Sequence, residues 1–499
     1  MTGLTDRLWR LGRWSRLAAF LVLGVVVALG MAPLEWWFIA VPAWAVVLAV
    51  LVSAPGLRAA LFAALCIGLG YFGFTLRWLV DPFLVDAATW GWAAPLAVSL
   101  MALRESLFWV AGTAVARLIA PRHLSALVLS LTLAEALRGY LFTGFPWALI
   151  GHVLIPTPWA QLAAYGGPHL LTLLTLTVAA GLVWLTRRRW LGALPLIAAV
   201  AVVPFLIPSP DPADPDAPVV RIVQPNAPQD EKWDPAQNLI FFQRMIAFTQ
   251  AAPRPDLIVW PETAVPVLLD YAQAELEAIS EAAQGVPVVT GINRSQDGLY
   301  YNSLIVLSRM GQVTQTYDKA HLVPFGEYVP FGEVLKNMGI HGIATSEGGG
   351  FAKGAMPQPL IDLPGIGTAR ALICYEGIFA EEIATPARPR LLLMITNDAW
   401  FGKGAGPTQH LAQARLRSIE QGLPMVRSAN TGISAMIDAH GRVVKRIPLD
   451  ETGYFDAALP PARAVTPYVR WGDWPVLILV LIGMAATGLH NRWGRRELR

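Results

Sequence analysis

Eight apolar runs, each long enough to cross a bilayer, limit what this chain can fold into more than any other feature. They lie near 17–32, 36–53, 58–80, 90–119, 124–142, 164–185, 190–207 and 475–490. A hydrocarbon core takes roughly 17–25 helical residues, and within lipid a segment must satisfy its own backbone polar groups, as a helix does. The expected architecture is therefore a polytopic α-helical membrane domain of about eight spans. The long interval between the seventh and eighth runs has the composition of a soluble domain. Averaged together, the two parts give 499 residues that are 55% hydrophobic and 15% charged, against about 25% charged in an ordinary soluble protein. A net charge of +3 is too small to point to nucleic acid, and two cysteines exclude a disulfide scaffold or a zinc cluster.

Orientation follows from arginine in the short connections. Arg7, Arg10, Arg13 and Arg16 precede the first run, Arg58 follows the second, and Arg117 and Arg122 flank the gap after the fourth. Arg187, Arg188 and Arg189 follow the sixth run, and Arg492, Arg495, Arg496 and Arg499 follow the eighth. The alternate connections carry Glu35, then Asp81 and Asp86, then Asp211, Asp214 and Asp216. Both termini are expected in the cytoplasm, with residues from about 208 to 470 on the far side. The stretch 143–163 holds Pro146, Pro156, Pro158, Trp147 and Trp159 and suits a re-entrant or interfacial segment.

The boundaries expected are a membrane domain over 1–207, a Pro/Asp-rich linker over 208–218, an outer domain over 219–465, and a final helix with a basic tail over 474–499. In the outer domain, β-rich runs at 219–224, 257–260, 286–290, 304–307, 371–374, 391–396 and 434–438 are interspersed with helical patterns at 236–251, 272–283 and 408–422. That pattern suggests an α/β domain whose sheet is covered by helices.

The outer domain contains no Gly-x-Ser-x-Gly elbow, no His-Glu-x-x-His pair and no phosphate loop ending in Lys-Ser/Thr. Its histidines are scattered, so no metal site is expected. Its one thiol, Cys374, ends an apolar strand in Leu-Ile-Cys-Tyr-Glu-Gly. Helix-end N–H groups at such a turn stabilise a thiolate and can bind an oxyanion; a small buried strand-end residue is the other reading. Two further segments bear on the choice. Glu262 follows an apolar strand in Leu-Ile-Val-Trp-Pro-Glu, and Lys319 lies in Tyr-Asp-Lys-Ala-His-Leu-Val-Pro-Phe-Gly-Glu-Tyr.

Together Glu262, Lys319 and Cys374 resemble the catalytic triad of the nitrilase superfamily, which implies an α-β-β-α sandwich. The resemblance narrows when the whole chain is considered. Trp260-Pro261-Glu262, the run 319–330, Cys374-Tyr375-Glu376, Asn397-Asp398-Ala399-Trp400-Phe401-Gly402 and the membrane-half stretch 135–147 all resemble the apolipoprotein N-acyltransferase family. That resemblance implies acyl transfer on the periplasmic face of a bacterial inner membrane. Glu262 would deprotonate Cys374, and Lys319 would favour thiolate and stabilise an oxyanion. The thiol would take an acyl chain from a phospholipid, with phosphatidylethanolamine the expected donor. The thioester would then pass it to the α-amine of a diacylglyceryl-cysteine apolipoprotein. No cofactor is expected, and a monomer is.

The resemblance also implies supporting roles for Glu327, Tyr375 and Glu376, with Glu327 holding Lys319 protonated and Tyr375 supplying a backbone N–H. Trp233 matches a position of substrate handling, or else packs. Arg138 and Trp147 sit where a lipid headgroup could meet the membrane half; alternatively Arg138 pairs with Glu135, three residues earlier. Arg104 and Glu105 fall within the fourth run and read as an interior structural pair or a misplaced boundary rather than a lipid site. The glycine-rich connection 331–357 is expected to act as a mobile lid that touches lipid, an ordinary surface loop being the other reading. A membrane-tethered amidase with the same triad, and a transporter or scaffold whose outer domain only binds, are the alternatives.

Overall fold

The computed structural model describes residues 2–186, 198, 200–202, 205, 214–329 and 350–496. Most of the seventh apolar run, the linker at 208–213 and the expected lid at 331–349 lie outside the described residues. The chain divides into two compact units: Met1–Val80, Trp92–Ser209 and Thr466–Arg499 form one; Asp81–Gly91 and Pro210–Val465 form the other.

The first unit is helical. Among the described residues, four stretches are long and apolar enough to cross a membrane: Leu57–Thr75, Ala87–Ile119, Pro158–Thr186 and Trp474–Trp493. Three more of the apolar runs form shorter helices at Arg13–Ala28, Trp37–Ser53 and Leu124–Tyr140. Small residues let the backbones approach closely, as expected where apolar surroundings supply no driving force of their own. A Cβ on Gly24 would fall 2.0 Å from the Ile67 carbonyl oxygen, and one on Gly70 would fall 2.0 Å from that of Leu21. Large apolar side chains such as Leu100, Leu118, Ile482 and Leu489 point outward, a surface suited to lipid rather than water. The stretch 143–163 folds into two turns of 3-10 helix, Ile150–Leu154 and Pro158–Leu162, and the first of these is wholly buried.

Among its described residues the second unit has two six-stranded sheets, ordered β12-β1-β2-β3-β4-β5 and β11-β10-β9-β8-β7-β6. The strands are β1 Val219–Gln224, β2 Leu257–Val259, β3 Val288–Gln296, β4 Leu299–Leu307, β5 Val313–Asp318 and β6 Ile361–Leu363. They continue with β7 Gly367–Ile373, β8 Leu391–Thr396, β9 Met425–Ala429, β10 Ser434–Ile437, β11 Val443–Ile447 and β12 Gly453–Ala458. Each sheet has a parallel trio, β1-β2-β3 in one and β7-β8-β9 in the other. Antiparallel strands extend both trios.

The inner faces stack: Ser428 Oγ donates to the Val223 carbonyl at 2.9 Å, and the Ser434 N–H donates to Gln224 Oε1 at 3.0 Å. Helices Pro235–Gln250 and Gln273–Ala283 cover the first sheet through Phe242, Met245 and Ile279. Helix Ala405–Gln421 covers the second through Leu411 and Ala414.

All seven strand runs read from the sequence are present. Four of the five that the sequence reading lacks, β5, β6, β11 and β12, are the outermost strands of the two sheets. With one edge unpaired and polar residues admitted, edge strands carry no continuous apolar signal. The fifth, β9, is fully buried but carries Arg427 and Ser428 inside the sandwich.

Candidate active site

Parallel strands present the residues beyond their C-terminal ends along one rim of a sheet. Glu262 lies three residues past β2, Lys319 directly follows β5, and Cys374 directly follows β7. All three are buried, with Lys319 only 1% exposed. Cys374 opens a short 3-10 turn, Cys374–Ile378, and adopts φ +50°. A non-glycine residue held there carries about 1–3 kcal/mol of strain, so the surrounding contacts must fix the turn.

Two carboxylates surround the Lys319 ammonium. It donates to Glu327 Oε1 at 2.8 Å and lies 3.6 Å from Glu262 Oε1. Asn302, on β4, bridges the same two groups, with Nδ2 donating to Glu262 Oε1 at 2.6 Å and to Glu327 Oε1 at 3.2 Å. The other Glu262 oxygen accepts the Asn397 backbone N–H at 2.7 Å. Burial by itself would lower Lys319, but the charges of Glu327 and Glu262 outweigh it and hold the ammonium well above its ordinary value. Burial pushes the Cys374 thiol up, Glu262 adds to that effect, and Lys319 opposes it. The Cys374 thiol thus lies between opposing influences, burial and Glu262 against its ionisation and Lys319 for it.

Glu376 braces the turn. Its Oε2 accepts the Ile373 N–H at 2.7 Å and the Tyr317 hydroxyl at 2.9 Å, while Oε1 accepts the Ala320 N–H at 2.7 Å. One side chain thereby ties the chain before Cys374 to the chain after Lys319. Burial nevertheless raises its carboxyl above the ordinary value, against these donors. The Tyr375 ring packs edge-on against His321 and Phe379, with centroids 5.6 and 5.1 Å away.

Trp233 is 45% exposed and lines a pocket with Lys232, Phe241, Met245 and Glu262, so its ring is not core packing. Lys232 lies beneath it, 5.5 Å from the ring centroid, and donates to the Glu262 carbonyl at 3.2 Å and to the Thr263 hydroxyl. Lys232 and Asn302 were not singled out from the sequence. Asn302 left a signal, an amide inside the apolar strand run Asn-Ser-Leu-Ile-Val-Leu. Lys232 left none, because Asp230 and Glu231 beside it make the segment look like a solvated charged turn.

Arg138 and Trp147 belong to the helical unit. Arg138 is fully buried and donates to Glu135 at 2.8 Å, to Glu105 at 3.3 Å, and to the carbonyls of Phe145, Trp147 and Ala148 at 2.8–2.9 Å. The protein itself thus takes up the guanidinium's fork, and of the two readings for Arg138 the pairing with Glu135 is the one realised. Arg104 pairs with Glu105, the interior pair expected. Trp147 is buried too, 4.6 Å from the Trp78 ring.

The chain has known relatives in sequence along most of its length. The carbon-nitrogen hydrolase family model matches residues 219–466, and that of the apolipoprotein N-acyltransferase N-terminal domain matches residues 23–181. An apolipoprotein N-acyltransferase from Rhodopseudomonas palustris is 37% identical over 515 residues, 96% of each chain. One from Brucella melitensis biotype 1 is 36% identical over 526 residues, 97% of this chain and 98% of its own. A solved amidase from Nesterenkonia sp. is 16% identical, covers 54% of this chain and 98% of its own, and has a TM-score of 0.39.

Proposed function

This chain belongs to the apolipoprotein N-acyltransferase family, and on that premise we propose how its residues divide the reaction. The protein is a membrane-embedded acyltransferase of the nitrilase superfamily, acting in lipoprotein maturation. The observation that carries the assignment of residues is the buried Lys319 ammonium between Glu262 and Glu327, at the rim where β7 delivers Cys374.

Glu262 takes the thiol proton as sulfur attacks the ester carbonyl of a phospholipid, expected to be phosphatidylethanolamine. The carbon–sulfur bond forms, and Lys319 with the Tyr375 backbone N–H stabilises the oxyanion. Collapse breaks the ester carbon–oxygen bond, and Glu262 returns its proton to the departing lysophospholipid alkoxide. The thioester keeps the acyl group activated without a further energy source. The α-amine of a diacylglyceryl-cysteine apolipoprotein then attacks and loses a proton to Glu262. The amide bond forms, and the carbon–sulfur bond breaks as Glu262 passes that proton to the departing sulfur, restoring the Cys374 thiol.

Glu327 keeps Lys319 cationic and aimed, and Trp233 handles substrate at the mouth of its pocket. The enzyme works in the bacterial inner membrane as a monomer, with residues 219–465 as a periplasmic catalytic domain and both termini cytoplasmic, a topology supported by the alternation of arginine-rich connections.

The test incubates purified full-length protein with labelled phospholipid and examines Cys374 by mass spectrometry. An acyl adduct is expected on Cys374, lost in Cys374→Ala and retained in Cys66→Ala. A diacylated peptide with a free N-terminal cysteine should discharge it to the amine. Release only as free fatty acid would favour an amidase-like hydrolase, and an adduct surviving Cys374→Ala would refute the nucleophile.

A further inference from the structure

Behind the nucleophile lies a fully buried polar chain that none of the roles above uses. Asp398, just beyond β8, is fully buried; its Oδ1 accepts the Thr396 hydroxyl at 2.8 Å and its Oδ2 accepts from Arg427 Nη2 at 2.6 Å. The same Arg427 nitrogen lies 3.2 Å from His410 Nδ1, which is also 2.9 Å from Asp398 Oδ1. At the far side of the ring, His410 Nε2 stands 3.3 Å from the carbonyl oxygen of Cys374. The ring is clamped: Phe401 packs edge-on against it, with centroids 5.3 Å apart at 90°. A Cβ on Gly432 would fall 2.4 Å from an Asp398 oxygen, so the glycine there is what lets the carboxylate pack so closely.

A peptide unit is planar, with its C=O and N–H fixed relative to each other. The Cys374 carbonyl belongs to the same unit as the Tyr375 N–H. Whatever holds that carbonyl therefore aims the N–H, and a bond accepted at the oxygen polarises the whole unit and strengthens the N–H as a donor. The positive φ of Cys374 makes the aim costly to maintain without an external hold. Asp398 Oδ1 is the nearer partner of Nδ1 and can only accept, so a ring proton on Nδ1 donates to Asp398 and one on Nε2 donates to the carbonyl, while Arg427 holds the other Asp398 oxygen.

We propose that His410, oriented by Asp398 and Arg427, is a positioning residue that aims and polarises the Cys374–Tyr375 peptide so that its N–H stabilises the oxyanion of both acyl-transfer steps. It acts through that peptide rather than on substrate. The inference rests on the proposed oxyanion role of the Tyr375 N–H and deepens that reading.

The consequence is a split between two reactions of the same thiol. Acylation by an ester passes through an oxyanion; alkylation by iodoacetamide does not, though both need the sulfur nucleophile. The experiment uses the full-length protein in detergent micelles and compares His410→Leu, His410→Gln and wild type. The rates of Cys374 acylation from labelled phospholipid and of Cys374 alkylation are measured separately. Removing an oxyanion donor outright costs about 100- to 1000-fold, so loss of the group that aims one should slow acylation about 10- to 100-fold. Alkylation should stay within about twofold of wild type, since no oxyanion donor is used.

His410→Gln carries an amide N–H that can reach where Nε2 stood, and should recover much of the acylation rate. Parallel loss of both reactions, or failure of glutamine to exceed leucine, would reduce His410 to a packing residue and overturn the proposal. Equal acylation in all three proteins would also overturn it. A wild-type protein that alkylates at Cys374 but never acylates would instead overturn the acyl-transfer reading on which the proposal stands.

Discussion

Replacing Glu327 by glutamine changes one atom and tests the arrangement that keeps Lys319 charged. Glu327 Oε1 accepts from Lys319 Nζ at 2.8 Å and from Asn302 Nδ2 at 3.2 Å, while Oε2 accepts the Val323 N–H at 2.8 Å. Both carboxylate oxygens therefore face donors. A glutamine has one oxygen and one NH2 group, so in either orientation a donor is left facing a donor. An unsatisfied buried group costs about 1–3 kcal/mol, and the remaining bond to Lys319 loses its ionic character, which roughly halves it. Taken together the loss is about 2–4 kcal/mol. For a domain of this size that lowers the unfolding midpoint by roughly 4–16 °C.

A second effect is separable by its pH dependence. Glu327 is the largest of the charges that raise Lys319 against burial. A cation with a raised folded value contributes stability below its ordinary value and loses it as pH rises through the folded one. In Glu327→Gln the folded value drops, so the alkaline limb of Cys374 acylation should move to lower pH. Thermal unfolding of the full chain in detergent micelles and acylation rates across the alkaline range measure the two effects. A midpoint within about 2 °C of wild type, less than the smallest loss allows, with an unmoved alkaline limb would refute the reasoning and make Glu327 a solvated turn carboxylate.

Two further substitutions probe the ground beneath Glu262. Burial holds the Lys232 ammonium at about 8, below its ordinary 10.5, with Glu262 opposing the shift. The unfolded chain therefore binds the extra proton between those values, and the native state gains on it as pH rises. Relative to Lys232→Met, wild type should gain up to about 3 kcal/mol between pH 8 and pH 10.5; a constant difference in chemical-denaturation stability would contradict the burial argument. A Cβ on Gly291 would lie 2.5 Å from the Thr263 nitrogen and 2.6 Å from the Glu262 Cα. Gly291→Ala should therefore cost about 1–3 kcal/mol by overpacking and slow Cys374 acylation by displacing the carboxylate. Wild-type midpoint and rate together would show that β3 does not hold the Glu262 turn.

The sequence by itself determined the division between apolar runs and a soluble α/β domain, because spanning length and strand hydrophobicity are local properties. It also singled out Glu262, Lys319 and Cys374, but only together and by their resemblance to the nitrilase superfamily, since separately Glu262 and Lys319 read as charges on surface turns. Edge strands β5, β6, β11 and β12 stayed hidden, because a strand paired on one side need not be apolar.

Only the tertiary structure decided which groups meet. Asn302 joins Glu262 to Glu327 because β4 lies between β3 and β5, an order that no local pattern encodes. Arg138 looked equally suited to a phosphate and to Glu135, and the fold resolved this by burying it against Glu135, Glu105 and three carbonyls. The chain from Arg427 through Asp398 and His410 to the Cys374 carbonyl likewise exists only once helix Ala405–Gln421 covers the second sheet. A buried polar group must find its partner wherever the packing leaves one, and packing depends on residues far apart in the sequence.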